Sequence, residues 1–144
     1  MTELHAAVGV AVLASNLVAG AWGGIAWLRG VPSVIFWYLL RAAQATVIAQ
    51  VLLGLALIVT GRPADDLHLL YGVLPLVVTL ISEGMRVGAA QRELADVGDV
   101  EALERREQAA IARRVVLREM GIMSVGAILI VTLALRAAGT TGWL

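Results

Sequence analysis

The sequence predicts an all-α integral membrane protein: a single-domain, up-down four-helix bundle with both termini extracytoplasmic and a cytoplasmic helical hairpin between its third and fourth helices. Three observations carry this expectation. Hydrophobic residues make up 60% of the 144 and charged residues only 15%, a balance that soluble domains do not sustain. Four apolar stretches each reach the roughly 20 residues that cross a bilayer core. The 11 basic residues, all arginine, gather on two of the connections rather than spreading over all of them.

The first stretch runs over residues 5–28. It lacks a basic leader and exceeds signal-peptide length, so it is expected to be retained as a span. The second runs over 33–60, the third over 67–88 and the fourth over 120–138. Arg29 follows the first span and Arg41 lies just inside the second. Arg86, Arg92, Arg105, Arg106, Arg113, Arg114 and Arg118 crowd the region between the third and fourth. Only Arg62 and Arg136 fall on the opposite side, so the positive-inside rule sets the 29–32 turn and the 3–4 connection in the cytoplasm, as in a bacterial inner membrane. Trp27, Phe36, Trp37 and Tyr38 at the inner turn, and Tyr71 and Trp143 at the outer ends, fit interfacial aromatic belts.

The 89–118 connection is rich in Ala, Glu, Arg, Leu and Gln, with apolar Leu103, Ala110 and Val116 at helical spacing, so it is predicted to be helical. Gly98 reads as a helix stop and Asp99 as the N-cap of the next helix. It either joins two spans as a solvated hairpin or docks a partner. Equal numbers of acidic and basic residues leave no net field to attract nucleic acid, and the absence of cysteine excludes thiol and iron–sulfur chemistry.

The chain has two histidines, each opening an odd-numbered span from the same face. Residues 5–10 align with 68–73 at an offset of 63: His5 on His68, Gly9 on Gly72 and Val10 on Val73, with Leu13 and Leu17 falling on Leu76 and Leu80. At 100° per residue His5, Gly9, Asn16, Gly20, Gly23 and Trp27 form one stripe. His68, Gly72, Thr79, Glu83 and Arg86 form another, and polar and small stripes turn away from lipid. In an up-down bundle the first and third helices are diagonal, so the imidazoles can face one another across the interior. A planar metallocycle fits between them, with imidazole ligands and a glycine one turn below each to clear its face. The other reading is two interfacial histidines left from duplication. A two-His zinc or copper site lacks a third ligand at that depth, since Asp65 and Asp66 are better used to start the third helix.

On the four-span architecture and the paired motifs His5–Gly9 and His68–Gly72, the chain resembles the small membrane cytochromes b, four-helix bundles in which paired histidines hold b-type haem. The resemblance implies one haem b near the outer leaflet, with His5 and His68 as metal ligands, serving electron transfer or haem handling with a redox or cytoplasmic partner. Many such cytochromes carry a second His pair; this chain has none, so a two-haem wire is excluded. Arg62 and Arg136 are the outer basic residues available to propionates, or else a turn residue and a snorkelling anchor. Tyr71 either bonds a ligand edge or belongs to the outer aromatic belt.

A second polar cluster falls at the cytoplasmic end. Arg41 needs a partner at its depth, and Glu83 is the natural one, as a structural ion pair or as part of a proton or quinone site. Met85, Met120 and Met123 share that level and read as packing, and Asn16 and Gln50 as interior hydrogen-bonding residues. No hydrolase or nucleotide-binding motif occurs. The competing function is a non-enzymatic scaffold or accessory subunit whose Arg-rich hairpin binds a cytoplasmic protein or anionic lipid.

Overall fold

The computed structural model describes residues 2–62, 65–95 and 97–140. Four helices form: α1 (Thr2–Leu28), α2 (Val34–Val59), α3 (Asp66–Ala95) and α4 (Arg105–Gly139), with a short 3-10 turn at Val100–Ala102. All four are long and apolar enough to cross a membrane, as in a multi-pass membrane protein. Trp143 lies outside the described residues.

Successive helices run antiparallel. The start of α1 meets the late part of α2 through His5 and Gln50, and the start of α3 meets the end of α4 through His68 and Ala137. The α1–α2 turn closes on Gly30, whose φ of 64° only glycine adopts without strain; Gly30 N–H donates to Trp27 O and Val31 N–H to Ala26 O. Ser33 then caps α2 by accepting from Phe36 N–H at 3.3 Å, and the Trp22 indole donates to the same hydroxyl at 3.0 Å. Gly61, at φ 80°, closes the α2–α3 turn in the same way as Gly30.

Helix α4 is the hub. It packs along both α1 and α3, while α2 leans chiefly on α1 and touches α3 more lightly. Small residues permit the close approach, because helices in lipid gain stability from contact between backbones and side chains rather than from leaving water. A Cβ on Gly23 would strike the Phe36 ring and the Ser124 hydroxyl, one on Gly121 the Trp27 indole, and one on Gly126 the Ser82 side chain. Phe36, Leu40, Met120 and Met123 form a buried cluster near the α1–α2 turn, and Val12, Val47 and Ile130 a second one midway along the bundle.

Four expectations change. Phe36 is fully buried and packs edge-on against Trp37 at 5.1 Å, so it belongs to the core and not to an aromatic belt. Met85 points outward while Met120 and Met123 are buried, because α3 turns a different face to its neighbours at that level. Asn16 is buried, yet its amide donates to Val12 O of its own helix at 2.9 Å, and among the described residues it makes no side-chain bond to another helix. Asp99 caps the 3-10 turn, accepting from Glu101 N–H, whereas α4 begins after Glu104, to which the Glu107 carboxylate reaches back. Gln108 binds the carbonyls of Val100 and Leu103 at 3.0 Å each, which folds the turn onto α4 and moves the start of that helix beyond Asp99.

Candidate functional site

A cavity of about 410 Å³ lies at the end of the bundle that holds both histidines. Its wall is mainly aliphatic and draws on all four helices: Leu13 from α1, Val47 and Val51 from α2, Pro75 from α3 and Ala134 from α4 among others. Val10 and Leu55 line it while remaining half exposed, so it opens onto the apolar outer surface of the bundle.

His5 and His68 face one another across this space with ring centroids 6.1 Å apart and planes inclined by 59°. Helix periodicity brings them there: each sits on the inward stripe of its helix, and α1 and α3 occupy diagonal corners. Their surroundings differ. His68 Nδ1 lies 3.1 Å from Ala137 O and 3.2 Å from Thr140 Oγ1, at the carboxyl end of α4. A carbonyl only accepts, so Nδ1 carries the proton of the neutral ring and Nε2 keeps its lone pair. His5 is met by a side chain instead, the Gln50 amide nitrogen at 3.2 Å from its Nε2. His5 Nδ1 and Gln50 Oε1 are buried with no hydrogen-bond partner among the described residues.

The glycines play unlike parts. A Cβ on Gly72 would meet nothing within 4 Å, so this position borders open cavity. A Cβ on Gly9 would stand 3.2 Å from the Gln50 amide nitrogen, and one on Gly54 would stand 3.4 Å from His5 Cε1. Gly9 therefore makes room for Gln50 rather than for a ligand directly, and Gly54 completes the niche of His5. In the sequence Gln50 reads only as an interior hydrogen-bonding residue, and Gly54 has no evident role. Their spacing, Gln50 to Gly54, repeats that of His5–Gly9 and His68–Gly72, and was the signal available. Arg62 and Tyr71 line the cavity; Arg136 does not, its guanidinium instead lying 5.9 Å from the centre of the Tyr71 ring.

Toward the opposite end, Glu83 gathers a polar network. Its Oε1 accepts from Arg41 at 2.7 Å and from Gln44 at 2.8 Å, and its Oε2 accepts from Arg86 Nε at 2.8 Å. Arg41 also donates to Gln44 Oε1 at 2.6 Å. Arg86 continues to Glu119 at 3.6 Å and covers the Trp37 ring at 5.6 Å, so the network ties α2, α3 and α4 together. Among the described residues no group of three His, Asp or Glu side chains is placed to hold a metal ion, and the His5–His68 pair stands by itself.

No protein-family model matches the chain, and no curated protein or solved structure matches it either.

Proposed function

We propose that the protein is a membrane b-type haem protein in which His5 and His68 hold one haem iron in the cavity, for electron transfer or haem handling. The observation that carries this reading is the spacing of the two rings beside an apolar cavity. Two imidazoles that would hold one metal ion must each bring a nitrogen to about 2.0 Å from it, so their rings must lie close together. The ring centroids of His5 and His68 stand 6.1 Å apart. The donor set fits the group unequally: a carbonyl holds His68 in the tautomer that frees Nε2, whereas the Gln50 amide nitrogen faces His5 Nε2, so His5 would bind metal through that nitrogen only with the Gln50 amide turned away.

When bound, the haem supplies one-electron chemistry at iron. The chain's own residues bind, orient and shield it. Ala137 and Thr140 would fix the His68 ring, and Gly72 leaves the space that a flat ring requires. The aliphatic wall excludes water, and Arg62 at the lining offers a cation to carboxylates. The distribution of arginines supports an orientation in which the cavity lies near the outer leaflet, with both termini extracytoplasmic. Reporters after Leu144 and in the 61–66 turn then read as external and one at Gly98 as cytoplasmic; the reverse pattern changes the side and not the ligands.

Protein expressed with haem supplied is expected to show a six-coordinate low-spin b-type spectrum whose Soret band sharpens and shifts on reduction. His5→Ala or His68→Ala should abolish or convert it. Colourless protein from haem-replete cells, or colour that survives in the double His variant, overturns the proposal.

A further inference from the structure

The charges near the α1–α2 turn do not balance. Between residues 29 and 41 and between 83 and 119, on the bundle side of the hairpin tip, Glu83, Glu93 and Glu119 are the carboxylates with ion-pair partners. Each is already taken: Glu83 by Arg41 and Arg86, Glu119 by Arg86, and Glu93 by Arg114 at 3.7 Å and Arg118 at 2.9 Å. Arg29 and Arg113 are exposed and have no carboxylate partner among the described residues.

Arg113 is nonetheless held. Its Nη2 donates to Gly30 O at 2.6 Å, and a Cβ on Gly30 would lie 3.6 Å from that nitrogen. This bond draws a guanidinium from α4 to the residue next to Arg29. Beside the two cations the turn exposes large apolar side chains, Leu28 at 79% and Val34 at 70%, together with Val31 and Ile35. A cationic pair above an uncovered apolar strip has the polarity of a phospholipid in reverse: phosphate against the guanidiniums, acyl chain along the strip.

We propose that Arg29 and Arg113 form a binding site for the headgroup of an anionic phospholipid, with its acyl chain lying against Leu28, Val31 and Val34. The site is independent of the histidine cavity. The hairpin tip supports the choice of an anionic lipid. Residues 99–107 carry four carboxylates against two arginines, so the tip is repelled by the same surface that attracts the turn. The hairpin can stand that far out, because the eight residues of α4 before Arg113, 105–112, extend about 12 Å at 1.5 Å per residue.

The test uses the full chain in bilayers and reads quenching of tryptophan fluorescence, since Trp22 and Trp27 lie close to the turn. Phosphatidylglycerol with brominated acyl chains is compared with brominated phosphatidylcholine. Wild type should prefer the anionic lipid by about tenfold or more, as two cations near an anionic surface allow, and 1 M salt should collapse the preference. Arg29→Gln with Arg113→Gln should bring it close to unity, while Arg105→Gln with Arg106→Gln at the tip should leave it unchanged. If the double turn variant does not fold, Arg29→Gln alone takes its place, since Arg29 makes no side-chain bond among the described residues, and a partial loss is expected. Equal quenching by the two lipids in wild type, or a preference that survives the turn variants, overturns the proposal.

Discussion

His68 and Ala137 are joined across the α3–α4 seam, with His68 Nδ1 3.1 Å from the Ala137 carbonyl oxygen. That carbonyl lies in the last turn of α4, where it also accepts from the Thr140 backbone N–H at 3.3 Å, and the imidazole adds a donor from α3 at this helix end. The Thr140 hydroxyl, 3.2 Å from the same nitrogen, also donates to Ala137 O at 2.7 Å and closes a small network. Among the described residues His5 has no equivalent backbone anchor; it meets Gln50, whose amide hangs on a rotatable side chain. The two rings of an approximate sequence repeat therefore have different freedom.

The first expected outcome concerns the His68 tautomer. In ligand-free protein labelled with nitrogen-15, the side-chain shifts of His68 should report a proton on Nδ1 and a lone pair on Nε2, the reverse of the form that prevails for imidazole in water. A proton on Nε2 would mean that the bond to Ala137 is not made. Thr140→Val should leave the tautomer in place, because the carbonyl remains.

Neighbouring glycines on α1 should respond in opposite directions. Gly23→Ala drives a methyl group into Phe36 and Ser124 and is expected to cost about 1–3 kcal/mol through overpacking. Gly24→Ala meets nothing within 4 Å and should be neutral or stabilising by up to about 1 kcal/mol through helix propensity. Thermal unfolding of the two variants in one detergent checks the order.

Gly72 separates stability from cavity space. Gly72→Ala adds a methyl group where no atom lies within 4 Å, and should raise the unfolding temperature of the ligand-free protein slightly. Gly72→Leu should fold as well but fill part of the cavity, and haem retention should fall although both histidines remain. Retention equal to wild type in the Leu variant would show that the cavity is not used. Arg62→Ala should reduce retention more than Arg136→Ala, since Arg62 lines the cavity and Arg136 lies against Tyr71.

Glu83 should matter more than either arginine it binds. Removing it strips three hydrogen bonds and leaves two guanidiniums facing each other, an expected loss of about 1–3 kcal/mol, given a side chain 26% exposed. Arg41 is 55% exposed and Glu83 keeps Arg86 and Gln44, so Arg41→Ala should cost under about 1 kcal/mol. Arg92→Ala, in water, should cost less still. Chemical unfolding of the three variants checks the ranking.

The sequence by itself determined the number of helices long and apolar enough to cross a membrane, their antiparallel succession and the inward stripes. Bilayer thickness sets how long an apolar run must be, and the helix period decides which residues share a face; both can be counted along the chain. It also determined that His5 and His68 share one end, because both open odd-numbered helices at matched positions. The partners were decided only by tertiary structure. Whether His5 meets Gln50, or His68 the last turn of α4, depends on how far each helix rotates and how closely the glycines let it approach, and no count along one chain segment contains that. The same holds for Phe36, which looks interfacial in sequence and is buried because Gly23 opens a place for its ring. Asp99 is the local counterpart: as a cap it was legible, but the helix it seemed to start is displaced to Glu104, because Gln108 folds the 3-10 turn back onto α4.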